Sequence, residues 1–222
     1  MQIQFDHKPA YSLAKVSLGD GESIRAESGA MVYMTPNMQM ETSMQSGGVL
    51  GALKKSVLGG ESLFVNTFTA QGGQGEIGLA PSAPGDVELV EMQGETWFLE
   101  GSAYLASSPT INIDTKFQGM KGLLSREGLF FIKANGSGQL LINCFGGLSQ
   151  HQVNGEFVVD TGNLVAYSEG LNYEVERVGG LKASLLSGEG LVSRLRGQGT
   201  VMVQSRSPGA FASWIRKFIP TK

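Results

Sequence analysis

The chain has 222 residues, 41% hydrophobic and 17% charged, which supplies a sizeable core and excludes a disordered segment. Glycine is the outlier at 32 residues, about twice the usual ~7%, yet with seven prolines and no Gly-X-Y period it signals neither collagen nor a flexible linker. Seventeen basic against twenty acidic residues give a formal charge of −3, so no nucleic-acid partner is expected, since such proteins usually present a basic face.

The opening stretch, Met1 to His7, has no basic region followed by an apolar one, so no signal peptide is expected. No run approaches the ~18 apolar residues that cross a bilayer, and the expected location is cytoplasmic, with peripheral membrane contact as the alternative. A single cysteine, Cys144, excludes an internal disulfide and a multi-cysteine zinc site.

Along the chain, two sequence blocks recur in one order. The first reads Gly21-Glu22-Ser23-Ile24-Arg25-Ala26-Glu27, then Gly94-Glu95-Thr96-Trp97-Phe98-Leu99-Glu100, then, one residue shorter, Gly155-Glu156-Phe157-Val158-Val159-Asp160. The second reads Gly60-Glu61-Ser62-Leu63-Phe64-Val65, Arg126-Glu127-Gly128-Leu129-Phe130-Phe131 and Gly188-Glu189-Gly190-Leu191-Val192-Ser193. A glycine turn and another apolar run follow each second block. Short apolar runs bounded by Gly, Asn, Ser or Gln read as strands. The expectation is an all-β fold, a pseudo-threefold array of three β units over approximately 12–80, 87–145 and 153–205. A unit of about 65 residues buries too little surface to stand alone, so residues 1–222 should form a single domain. Asn135-Gly136 and Asn154-Gly155 are the dipeptides favoured by type I′ hairpin turns and are expected to be such turns.

Two segments depart from strand spacing. Residues 49–58 carry apolar side chains at helical intervals between glycines and predict a short helix. After Pro208-Gly209, the residues Phe211, Trp214, Ile215, Phe218 and Ile219 fall on one face of an amphipathic helix expected over 209–219, which Pro220 stops. That face is a candidate interface or membrane contact. Its few basic residues favour packing against protein over a membrane surface.

The Glu27-Ser28-Gly29-Ala30-Met31 block, the Gly60-Glu61-Ser62-Leu63-Phe64 block and the terminal Trp214-Ile215-Arg216 helix together resemble one family. It is the bacterial and archaeal group related to altered inheritance of mitochondria protein twenty-four. The resemblance implies an all-β fold similar to the tryptophan RNA-binding attenuation protein. It also implies kinship with mitochondrial proteins linked to inner-membrane organisation. It carries no established catalytic residues.

Candidate chemistry is sparse. Glu61, Glu127 and Glu189 share one repeat position, and Glu27, Glu100 and Asp160 share another. Equivalent carboxylates brought together could ligate a cation or a sugar, the latter with hydrolase geometry when about 5–10 Å apart. The plainer expectation is that they accept N–H bonds in their own turns. Cys144 and His151 form the one available thiol–imidazole pair with Cys144 expected buried, and no Gly-x-Ser-x-Gly elbow is present. Gly72-Gly73-Gln74-Gly75 and Gly19-Asp20-Gly21 lack a phosphate-loop ending and read as turns. Met31, Met34, Met38, Met40 and Met44 form a local cluster that could make a soft, adaptable contact surface, with gap-filling in the core as the more ordinary expectation.

The sequence therefore supports a non-enzymatic assembly or scaffold protein. It is expected to be a homo-oligomer without cofactor or metal, with a membrane surface or membrane-protein complex as the further partner. The alternative is a small-ligand or carbohydrate-binding protein with hydrolase activity, motivated by the carboxylates and by Trp97, Phe98 and Tyr104. RNA binding rests on fold analogy alone and is disfavoured by charge.

Overall fold

The structure, a computed structural model, describes residues 1–44, 64–114, 131–177 and 191–219. The segment 49–58, read as a helix, and the glutamates Glu61, Glu127 and Glu189 lie outside the described residues.

The described chain is almost entirely antiparallel β structure. The first third holds β1 (Gln2–Asp6), β2 (Leu13–Leu18), β3 (Ser23–Glu27), β4 (Met31–Met34), β5 (Met38–Met44), β6 (Phe64–Ala70) and β7 (Gly75–Leu79). The second holds β8 (Val87–Glu100), β9 (Tyr104–Ser107), β10 (Ile111–Asp114) and β11 (Phe131–Asn143). The last holds β12 (Leu148–Asp160), β13 (Leu164–Ser168), β14 (Leu171–Arg177) and β15 (Leu191–Gln204), followed by helix α1 (Pro208–Arg216). β12 already opens at Leu148, ahead of the sequence boundary at 153.

Period-two burial explains the strands. In β2, Ala14, Val16 and Leu18 are buried while Leu13, Lys15 and Ser17 are only partly so, the signature of a sheet with one face on the core. Strands combine into a four-stranded sheet, β1-β2-β7-β4, and an eleven-stranded one whose main path is β12-β15-β13-β8-β11-β9-β3-β6-β5.

One pairing scheme is found in each third. β2 pairs β7, β7 pairs β4, β3 pairs β6 and β6 pairs β5. In the second third β8 replaces β2 and β3 as one continuous strand, and β11 replaces β6 and β7; β9 and β10 flank β11. β12 and β15 do the same in the last third, flanked by β13 and β14. Even an irregularity recurs. The register slips at Val32 in β4, Leu105 in β9 and Val165 in β13, each a bulge against the strand that follows the glycine turn.

The fused strands correct one expectation. Asn135-Gly136 and Asn154-Gly155 lie in mid-strand rather than at hairpin tips. Gly136 has φ +129°, and a Cβ there would sit 2.6 Å from the Thr110 carbonyl oxygen. The positive φ that suggested a turn serves a bend where β11 passes from one half of its pairing to the other. The glycine turns of the first third are turns as expected, and they are tied together: the Gly72 amide donates to Asp20 Oδ1 at 2.8 Å.

Three clusters form the interior. The central one gathers Trp97, Leu99, Tyr104, Ile132, Leu140 and Ile142 from the second third, with Val65 from the first and Val165 and Met202 from the last. This central cluster thus draws buried side chains from all three thirds of the chain.

Helix α1 begins one residue earlier than read and ends sooner. Ser207 caps it, its hydroxyl accepting from the Ala210 amide at 3.4 Å, with Pro208 in the first turn. The amides of Lys217 and Phe218 then bond back three residues, to Trp214 and Ile215 carbonyls, closing the last turn. Phe218 and Ile219 lie beyond that end, where the residue before Pro220 is disfavoured in helix.

Candidate functional site

The repeated carboxylates at the first block hold backbone. Glu22 accepts from the Gly19 amide at 2.7 Å and from the N-terminal ammonium at 2.9 Å. The Gly19 bond first, and the ammonium second, hold its carboxyl below the usual glutamate value. Glu95 accepts from the Gln93 amide at 2.6 Å. Glu100 accepts from the Ser102 amide and hydroxyl at 3.0 and 2.5 Å, and Asp160 accepts from the Gly162 amide at 2.8 Å. Each of these carboxylates ties its own corner.

Glu156, at the third Gly-Glu position, is different. It lies between the guanidinium groups of Arg194 and Arg196, which also reach Glu176 and Glu174. The five side chains make a ladder of charge across the solvent face of β12, β15 and β14. Its members are a quarter to a half exposed, so each pair is worth little in stability.

A second threefold set carries no flag in the quoted blocks. Thr35 Oγ1 accepts from the Glu76 amide at 3.1 Å, Ser108 Oγ from Gln139 at 2.9 Å and Ser168 Oγ from Thr200 at 2.8 Å. The only signal in the sequence is a hydroxyl residue at the end of each short apolar run, easily lost among many serines and threonines.

The aromatics that motivated ligand binding are structural. Tyr104 is fully buried, its hydroxyl within 3.0 Å of Ser107 Oγ, and burial pushes its pKa up to about 12. Trp97 is also buried, and its indole Nε1 has no hydrogen-bond partner among the described residues. Phe98 stacks on Tyr167. A cavity of about 140 Å³ lies among Glu27, Glu100, Cys144, Phe145, Val165 and Pro208. It is well short of the roughly 300–1,000 Å³ of small-molecule sites.

Cys144 is buried, its thiol donating to the Gly146 carbonyl at 3.3 Å, and burial raises its pKa to about 11. His151 stands on the exposed face of β12, beside Ser149 Oγ at 3.2 Å and against the Phe157 ring. The thiol and imidazole therefore serve separate places. Among the described residues there is no cluster of three or more His, Cys, Asp or Glu able to hold a metal ion, and no helix long and apolar enough to cross a membrane.

What the surface does offer is apolar. In the methionine cluster Met38 is core, whereas Met31, Met34 and Met40 are exposed, which corrects the gap-filling expectation for those three. Helix α1 has no buried residue. Phe211 touches the body through Phe145, with ring centroids 5.1 Å apart, and Trp214 and Phe218 continue the stack outward. Phe211, Trp214, Phe218 and Ile219 are exposed, while Ile215 is half-buried.

Residues 3–206 match the family model described as mitochondrial biogenesis AIM24. The chain belongs to the AIM24 family. An uncharacterized protein of Streptococcus pyogenes serotype M6 is 30% identical to this AIM24-family protein over 229 residues, covering 100% of the chain and 92% of the relative. A crystal structure of a Streptococcus pyogenes protein matches it with a TM-score of 0.81 at 29% identity, over 98% of this chain and 99% of the other. The all-β architecture of this AIM24-family protein is thus shared along nearly its whole length.

Proposed function

We propose that this AIM24-family protein is a non-enzymatic assembly protein. In this reading it is a β scaffold of three homologous units in a pseudo-threefold array, working as a homo-oligomer in the cytoplasm and meeting a further partner through its C-terminal helix. The observation that carries it is the helix itself. A β domain does not need an aromatic series, Phe211-Trp214-Phe218, left exposed along a terminal helix whose first ring meets Phe145 of the body. Exposed apolar surface of this kind marks a docking element. The absence of acidic residues from its first turn and the presence of Arg216 and Lys217 at its end suit either an acidic protein face or an anionic membrane interface.

The test is size-exclusion chromatography with light scattering, run beside co-sedimentation with anionic vesicles, on the full chain and on a chain ending at Arg206. The expected result is a multimer whose vesicle or partner binding falls at least tenfold without the helix. A strict monomer that ignores vesicles overturns the reading.

Small-ligand binding keeps one supporting observation, the approach of Glu27 and Glu100 to a common cavity. A thermal-shift screen over sugars and divalent cations tests it: no stabilisation by any of them removes this second reading.

A further inference from the structure

Neighbouring thirds of the chain are joined by one kind of seam. β3 pairs β9 with Arg25 opposite Ser107 and Ala26 opposite Ala106. β8 pairs β13 with Phe98 opposite Tyr167 and Leu99 opposite Ala166. The two seams share a register. Ala26 and Leu99 each stand just before the corner glutamate, Glu27 or Glu100, and Ala106 and Ala166 each follow the bulged residue, Leu105 or Val165.

The chain carries the two halves of a third such seam, unjoined. On one side is β4, where Tyr33 and Met34 follow the bulged Val32; on the other is the second half of β12, where Val158 and Val159 precede Asp160. Among the described strands β4 pairs only with β7, and β12 only with β15. The burial of equivalent residues is decisive. The bulged residue is 0% exposed at Leu105 and 2% at Val165, where the seam is made, but 58% at Val32. Met31 and Met34 are exposed on the same strand, and Val158 is exposed on β12. An unpaired apolar strand edge is a template for another strand, which proteins ordinarily blunt with charge, proline or cover. The seam residues of β4 and β12 carry no charge; they are apolar and, at Met34, adaptable in shape.

We propose that a second copy of this chain completes the third seam: β12 of one copy adds antiparallel to β4 of the next, with Val158 opposite Met34 and Val159 opposite Tyr33. This rests on the assembly reading and names its interface. The contact is heterologous, head to tail, so successive copies close into a ring or, if the rotation does not close, extend as a filament. Seams within and between chains then become alike, and the array of units continues from one copy to the next through the same backbone pairing.

The experiment uses Met34→Lys and Val158→Lys in the full chain, with circular dichroism and thermal melting to show that each variant folds. Light scattering on the wild type is expected to give a multimer and on each variant a monomer. Mixing the two variants is expected to give a one-to-one dimer, because one good β12 edge and one good β4 edge remain; only a head-to-tail contact behaves so. A Met34→Cys, Val158→Cys double variant should crosslink between copies on oxidation. Several results overturn the proposal. A crosslink confined to one chain would mean that the seam closes within the molecule. Multimers that survive both lysines but dissociate on removal of helix α1 would leave the assembly reading standing and remove this interface. A monomeric wild type would remove both.

Discussion

Phe98 on β8 and Tyr167 on β13 stand directly opposite each other, and their rings stack with centroids 4.9 Å apart and planes 22° from parallel. The pair joins the second third of the chain to the last. Phe131 and Tyr173 pack on Tyr167 edge-on and face-on, so the buried Tyr167 is the centre of a four-ring cluster.

Truncation at this stack should therefore be felt globally. Tyr167→Ala is expected to lower stability by about 3 kcal/mol, in the range of large-to-small core changes. A double-mutant cycle with Phe98→Ala should show a coupling of about 1 kcal/mol, the extra worth of a stacked pair. Denaturant unfolding measures both, and additive effects would show that the rings do not act together.

The three hydroxyls that each accept from a part-buried strand amide predict a matched set of small losses. Ser108→Ala and Ser168→Ala should each cost about 1–2 kcal/mol, since each leaves an amide without its acceptor. The denaturation midpoint should fall in both while the slope stays constant.

Glu22 predicts an acid limb of known sign. Its folded pKa is depressed, so its contribution is present above the unfolded value of 4.5 and is lost as pH falls through the lower folded value. Glu22→Gln should lower the melting temperature at neutral pH and match the wild type at the acid end of the scan. Because the group is well exposed, the neutral-pH difference should shrink in high salt.

Cys144 should be inert in the native state. With its pKa raised to about 11 and its sulfur buried against Gly146, alkylation at pH 8 is expected to be at least tenfold slower than in denaturant. Mass spectrometry after timed iodoacetamide treatment reads this directly.

The β class was legible because it depends on local pattern. Short apolar runs beside glycines, such as Phe64-Val65 and Leu191-Val192 in the recurring blocks, can hardly be anything else. The bends at Gly136 and Gly155 were not legible, since a turn and a kinked strand ask the same positive φ of the same dipeptide. Whether Asn-Gly ends a strand or bends it is decided by pairing partners far along the chain, here Thr96 in β8 opposite Asn135 and Gly197 in β15 opposite Gly155. Met31 and Met34 were misread for a related reason. Their composition says apolar, but exposure depends on whether a strand covers the second edge of β4, and among the described strands β7 alone pairs with it, on the first. The turn role of Glu100 and Asp160 followed from their place beside glycine. The Thr35, Ser108 and Ser168 set did not, because a hydroxyl becomes meaningful only when an amide from a distant strand arrives beside it.

The breaks that divide β2 from β3 and β6 from β7 have no counterpart in the fused strands of the other two thirds. A continuous strand transmits bending along its length, whereas a loop absorbs it. Elastic deformation should therefore concentrate at the crease between Leu18 and Ser23, where the chain leaves the four-stranded sheet for the eleven-stranded one, so that the small sheet hinges on a stiffer plate along a compliant fold line.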